Sequence, residues 1–242
     1  MNTPSDLSAL HARLQGEGFA FVAAETMDGL LDDPRSLEDW DAFAGSWNEL
    51  APDTYLAAKG RKRRRRHATF EIGPHGSVIR NPPQPHLQGL QYNQLQGGIE
   101  RWFEPIVPTI TDGPSFRRIL AFSHALVGAL APRVPRWHVE VHQFRIEARP
   151  GEAGEPTPEG IHRDGVDYVL VLLIERTNIE SGVTTIHDGN GNMLGSFTLT
   201  HPLDTAVVDD AKVSHGVTAV TPLDPEKPAH RDVLVVTFRA AA

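Results

Sequence analysis

An α+β fold is predicted, with N-terminal helices bracing a C-terminal core of antiparallel strands arranged as a sandwich or jelly roll. Three observations carry that prediction. Up to residue 136 the apolar side chains recur mainly at helical spacing, whereas from Trp137 onward short runs rich in Val, Ile, Thr and Phe succeed one another with no helix between them. The chain also holds 21 glycines and 19 prolines in 242 residues, a composition suited to many turns. Short strands separated by turns close most readily as a two-sheet architecture, of which the jelly roll is the eight-strand form. The length suits one buried core, so a single domain is expected over 1–242, with 1–136 mainly helical and 137–242 carrying the β-core.

Taken in order, Ser5 and Asp6 can cap a first helix whose Leu7, Leu10 and Leu14 face one way, and Gly16 and Gly18 end it before a strand at 19–22. A second helix is expected from Ser36, with Asp39 in the capping-box position and Leu37, Trp40, Phe43 and Trp47 at helical spacing. A third spans 114–130 through Phe116, Ile119, Leu120, Leu126 and Leu130. Strands are expected at 138–146, 168–174, 183–186, 194–199, 205–208, 217–220 and 233–238, separated by turn clusters such as "HDGNGN" and "TPLDPEKPAH".

Composition narrows the chemistry. With no cysteine, the chain has no thiolate nucleophile, disulfide or iron–sulfur cluster, and His, Asp and Glu are its strong side-chain metal ligands. The N-terminus lacks the pattern of a signal peptide and the apolar runs are too short to span a bilayer, so a cytoplasmic protein without membrane contact is expected. Net charge is -8, and residues 1–60 hold 11 acidic against 3 basic side chains, which does not suggest a nucleic-acid partner. A homodimer is an assembly the sequence leaves open.

The basic run "GRKRRRRH" precedes a strand at 69–72. Alternation places Lys62, Arg64 and Arg66 opposite Arg61, Arg63 and Arg65. The first expectation is a solvated strand paired with the acidic helices; the second is that one or two of these arginines reach an active-site mouth and hold a substrate carboxylate. Gln143 and Arg145 alternate with Phe144 and Ile146 and so can point into the barrel toward a substrate, although Arg145 can equally pair with an acidic neighbour. Asn93 can cap a helix through "QLQGGIERW" or touch substrate. His138 and His142 share a strand face, with no carboxylate of obvious register to join them. Asp209 and Asp210 read as turn residues.

The tripeptide His-Arg-Asp occurs twice, at 162–164 and 230–232. A facial iron site needs two His and one carboxylate, and two ligands at one strand end require a third from a neighbouring strand. The first copy, His162 and Asp164, is followed after 51 residues by His215, a gap that holds three strands. The second copy has no downstream histidine, so it cannot begin such a site. Its Arg231 enters the last strand on the same face as Val233, Val235, Thr237 and Arg239, and could lie on a strand adjacent to His215. An arginine at the mouth of an apolar barrel is costly unless it meets an anion, such as the far carboxylate of a small dicarboxylate that chelates the metal.

The order His162-x-Asp164, His215, Arg231 resembles the iron(II)- and 2-oxoglutarate-dependent dioxygenases on a double-stranded β-helix, the cupin-like jelly roll. "SGVTTIHDGNG" and "HRDVLVVTFR" are similar to two strands common there. "YNQLQGGIERWFEPI", the arginine-rich segment and "VHQFRIEA" further resemble a bacterial subfamily of biofilm-and-stress proteins and free L-amino-acid hydroxylases of the isoleucine 4-hydroxylase type. The resemblance covers the chain from about residue 15. It implies that His162, Asp164 and His215 are the catalytic metal ligands for Fe(II), that Arg231 binds the co-substrate 2-oxoglutarate, that dioxygen is the oxidant, and that the small-molecule substrate is a free amino acid. Two alternatives stay open: a cupin-type enzyme that does not use 2-oxoglutarate, and a metal-binding stress or biofilm regulatory protein of the same fold without turnover.

Overall fold

The computed structural model describes residues 4–33, 35–58, 62–93 and 95–241, with side chains from residue 7 onward. Helix α1 (Pro4–Glu17) buries Leu10 and Leu14, while Leu7 stays exposed; the capping expected at Ser5 and Asp6 lies outside the described side chains. Strand β1 (Phe19–Val22) follows as expected. A short helix α2 (Ala24–Leu30) comes next, and it escapes detection by periodicity because it buries Met27 alone.

The helix expected from Ser36 begins only at α3 (Trp40–Gly45), and Asp39 does not close a capping box. Its carboxylate instead accepts from Ser115 N at 2.8 Å and Ser115 Oγ at 2.6 Å. It thereby caps a different helix, Pro114–Leu130, whose own N-cap residue is Gly113. That glycine has no side chain to offer, and a Cβ on it would stand 2.1 Å from Asp39 Oδ2. Loss of a capping side chain lowers stability by about 0.5–2 kcal/mol. Asp39→Ala should therefore show a drop of that size in urea unfolding, at unchanged affinity for any ligand of the distant cavity.

The remaining elements are β2 (Ala51–Pro52), α4 (Thr54–Ala57), β3 (Arg63–Ile72), β4 (Val78–Arg80), α5 (Pro108–Thr111), α6 (Pro114–Leu130), β5 (Trp137–Ala148), β6 (Tyr168–Thr177), β7 (Ile179–Ser181), β8 (Val183–His187), β9 (Met193–Thr198), β10 (Thr205–Asp209), β11 (Ser214–Val217), β12 (Val220–Pro222) and β13 (Ala229–Ala240). The run expected at 217–220 is the junction between β11 and β12. The gap between Asp164 and His215 holds five strands, not three.

An eight-stranded sheet runs in the order β1-β10-β6-β13-β5-β3-β2, with β4 on β3; a three-stranded sheet runs β11-β8-β9, and β12 pairs with β7. The part before residue 137 thus does more than brace the core, because it supplies β1 to β4 of the large sheet. The large sheet turns its two faces to different surroundings. On one, Val139, Val141, Leu170, Leu172, Leu234, Val236 and Phe238 pack with Phe116, Ile119 and Leu126 of α6 and Leu14 of α1. Burying each such side chain contributes roughly 1.5–3 kcal/mol. On the other, Val233, Val235 and Thr237 of β13 and Phe144 and Ile146 of β5 line a cavity. This is the jelly-roll plan, with helices covering one face of the large sheet.

Candidate functional site

The first His-Arg-Asp lies in a loop that docks on β11. His162 N donates to His215 O and His215 N donates to His162 O, both at 2.9 Å, so a two-residue backbone pair joins segments 53 positions apart. Ligand atoms of His162, Asp164 and His215 then lie within 4.8 Å of one another. Each oxygen of Asp164 faces one imidazole: Oδ1 is 3.7 Å from His162 Nε2, and Oδ2 is 3.6 Å from His215 Nε2.

The turn carrying Asp164 is fixed from behind. Asp210 accepts from the backbone N–H groups of Asp164, Gly165 and Val166 at 2.9, 2.8 and 3.2 Å. Asp210, expected to be a turn residue, is thus the support of the site. Gly165 sits at φ +80°, and a Cβ there would stand 2.4 Å from the Tyr92 ring, so the turn requires glycine on both counts.

Electrostatics within the trio are mutual. Burial opposes charge on Asp164, but the neighbouring imidazoles, His162 first and then His215, hold its carboxyl down to about 2. Burial also opposes charge on His162, yet Asp164, Glu159 and the Gly160 carbonyl outweigh it and push the ring up to about 9; burial pulls His215 down to about 4. The donor set suits a divalent metal. His162 Nδ1 lies 3.0 Å from Gly160 O, an acceptor, so Nδ1 keeps its proton and Nε2, beside Asp164, is the nitrogen that can give up a proton to ligate a metal. A cation there would displace the ring proton that Asp164 otherwise attracts.

The trio opens into a cavity of about 350 Å³, within the range of small-molecule sites. Arg231 also lines it. This guanidinium is 2 % exposed, makes no ion pair among the described residues, and its Nε has no partner. Burial, then the neighbouring Arg176, pulls it down to about 10, which leaves it charged at neutral pH. Its strand pairs with β5 and β6, not with β11 as the spacing suggested, so Arg231 and His215 belong to different sheets that enclose one cavity. The rest of the second His-Arg-Asp splits away. His230 and Asp232 point to the opposite face of β13, where His230 Nε2 is 3.5 Å from Glu175.

Two expected substrate contacts do not reach the cavity. On β5 it is His138, Glu140, His142, Phe144 and Ile146 that line it, and the period of two sends Gln143 and Arg145 to the helix side. There Gln143 donates to Ser46 Oγ at 2.8 Å, and Arg145 forms a two-pronged pair with Asp232 at 2.8 and 2.6 Å. Asn93 does line the cavity, but no helix follows it among the described residues; its Oδ1 caps a turn by accepting from Gln96 N at 2.8 Å.

The basic run is not a solvated strand. Arg61 lies outside the described residues, but Arg63 and Arg65 line the cavity, Arg65 being only 2 % exposed. Buried Asp53 lies 2.9 Å from Arg63, and the Arg65 guanidinium lies over the rings of Phe103 and Phe144 at 3.6 and 4.6 Å. Arg64, facing the other way, meets Glu147 at 2.8 Å. The carboxylate that His138 and His142 lacked is Glu140, between them on the same face. Its Oε2 is 2.5 Å from His86, 3.1 Å from His67 and 3.7 Å from His142. The sequence signal for this wall was the stripe His138-x-Glu140-x-His142 alternating with Val139 and Val141. His86 and Arg101 carried no such signal, because the loop that presents them has no period.

Residues 44–237 match the 2OG-Fe dioxygenase family, and the chain belongs to it. It is therefore an enzyme of a class that uses Fe(II), 2-oxoglutarate and dioxygen. Among its relatives, 3(1)-hydroxy-L-isoleucine 4-dioxygenase of Pantoea ananatis is 25% identical over 236 residues, 93% of each chain. A bsmA homolog from Methylobium petroleophilum PM1 superposes with a TM-score of 0.89 at 37% identity, over 100% of this chain and 96% of that one. IDO from Bacillus thuringiensis shares the fold, with a TM-score of 0.81 at 19% identity over 98% of this chain and 100% of that one. No helix among the described residues is long and apolar enough to cross a membrane.

Proposed function

We propose that this dioxygenase hydroxylates an unactivated C–H bond of a free L-amino acid, with His162, Asp164 and His215 holding Fe(II) and Arg231 binding the far carboxylate of 2-oxoglutarate. The observation that carries this reading is the meeting of that trio and an unpaired buried guanidinium in one cavity. Bound Fe(II), with 2-oxoglutarate and dioxygen, supplies the oxidising power, and succinate and carbon dioxide leave as co-products. The chain's own residues bind, orient and exclude water. Asp164 brings a negative charge to balance the metal, Asp210 fixes the Asp164 backbone, and the Gly160 carbonyl sets the His162 tautomer. Arg231 can hold a carboxylate bidentately, and Val233 and Val235 beside it keep that end dry. The activity named for the Pantoea ananatis relative supports an amino-acid substrate.

The test is mass spectrometry of the twenty amino acids incubated with protein, Fe(II), ascorbate and 2-oxoglutarate. One amino acid should gain one oxygen, with stoichiometric succinate. Silence with all twenty would overturn the substrate class, and 2-oxoglutarate-independent product would overturn the role given to Arg231.

A further inference from the structure

Arg101 is a second buried guanidinium without a counter-ion. It is 1 % exposed, lines the same cavity, and has no carboxylate oxygen within 4 Å among the described residues. Its partners are neutral amides: NH1 donates to Gln96 Oε1 at 2.7 Å and NH2 to Gln88 Oε1 at 2.8 Å, and Nε is left without a partner. Both amides are themselves placed by Asn93, whose Nδ2 donates to Gln88 Oε1 at 3.0 Å and whose Oδ1 takes the Gln96 N–H. The loop is closed at its base by paired backbone bonds between His86 and Arg101, at 2.9 and 3.0 Å. Considerable local order thus serves to aim one cation.

The anions nearby are already committed. Asp53 is shared by Arg63 at 2.9 Å and Arg65 at 3.7 Å. Glu140 is ringed by imidazoles, with His86 at 2.5 Å, His67 at 3.1 Å and His138 at 3.7 Å; burial opposes its charge, but His138 first, then His67 and His86, hold it well below the usual carboxylate range. Three guanidinium groups, Arg63, Arg65 and Arg101, therefore share this wall with two carboxylates; a third, Glu159, acts on Arg101 across the cavity but is drawn to His162, 3.5 Å from its Nε2, so Arg101 is the one left without a carboxylate in contact. A buried charge without a partner is unfavourable unless a ligand completes it.

We propose that Arg101 binds the carboxylate of the substrate, so that the loop from His86 to Arg101 is the substrate-recognition element. Gln88 links that anchor to the metal site, since its Nε2 lies 3.5 Å from both Asp164 O and Asp164 Oδ1. The carboxylate anchor Arg101 and the ligand Asp164 would then be held by one side chain, Gln88, which fixes how far from the metal the reacting carbon lies. This inference rests on the reading of Arg231 as the 2-oxoglutarate anchor.

The experiment measures binding to the Fe(II) protein without oxygen, by calorimetry, for 2-oxoglutarate alone and then for ligands added on top of it. The ligands are the twenty amino acids, the primary amides of those that bind, and 4-methylpentanoate. In the wild type, removing the carboxylate charge should weaken binding at least 30-fold. Arg101→Met should weaken the acid by a similar factor, erase the difference between acid and amide, and leave 2-oxoglutarate affinity within about threefold. Arg101→Lys keeps the charge but not the fork and should fall between; it carries the same comparison if the methionine variant does not fold. If no amino acid binds but 4-methylpentanoate does, and only with Arg101 present, the carboxylate site stands while the amino-acid reading falls. An acid–amide difference that survives in Arg101→Met overturns the inference. So does a loss of 2-oxoglutarate affinity in its place, or a wild type that responds to none of these carboxylates.

Discussion

Asp164→Ala is expected to lose iron binding by at least about 100-fold and turnover below detection, whereas His230→Ala, in the second copy of the same tripeptide, should retain both. Asp164 is the anionic member of the trio and faces both imidazoles, so its removal leaves two neutral rings and one buried space where three donors met. Two imidazoles alone bind a ferrous ion weakly, because they supply neither charge balance nor the third corner of a facial set. His230 has no such position: it lies beside Glu175 and Asp232 on the far side of β13. Metal content after gel filtration, with a chelator competition for the residual affinity, separates the two. Equal loss of iron in His230→Ala would show that the copies had been assigned the wrong way round.

Arg231→Met should raise the KM for 2-oxoglutarate by about 100-fold or more while the KM for the hydroxylated substrate stays within a few-fold. Truncating one partner of a buried charge pair costs about 2–5 kcal/mol, roughly 30-fold to several thousand-fold in binding. A second readout distinguishes a binding role from a structural one. In the ligand-free protein Arg231 is buried without any ion-pair partner among the described residues, so replacing it with an apolar side chain removes an unfavourable burial and should hold or raise the melting temperature. Adding 2-oxoglutarate should then stabilise the wild type and no longer the variant, since a ligand stabilises only the state it binds. A variant that melts lower and still responds to 2-oxoglutarate would place the co-substrate elsewhere.

The contrast between what was and was not legible follows periodicity. Strand β1 and helix α6 match their expected limits because Phe19–Val22 is a compact apolar run and α6 keeps its apolar stripe for 17 residues. The cavity face of β13 was readable for the same reason, as Arg231, Val233, Val235, Thr237 and Arg239 sit at every second position. On β5 the same rule allowed either Gln143 with Arg145 or Phe144 with Ile146 to face the cavity; the structure turns Phe144 and Ile146 inward, and Arg145 takes the acidic neighbour that was its first expected partner. Hydrophobicity alone could not settle it, because the helix side at that end is polar: Ser46 receives Gln143, and Asp232 receives Arg145.

From the residues themselves came the chemical inventory: no thiol, a His-x-Asp with a later His, and a terminal-strand arginine on a fixed face. Those facts depend on local spacing, which a strand's alternation and a turn's length largely dictate. The three-dimensional fold alone decided that His162 pairs with His215 through their backbones, that Arg63 and Arg65 turn inward beside Asp53, and that Arg101 arrives unneutralised at the same cavity. These meetings join segments from β3, the 86–101 loop, β5 and β11. Their formation depends on which sheet faces bury together, a cooperative property of the whole core that no window of sequence contains.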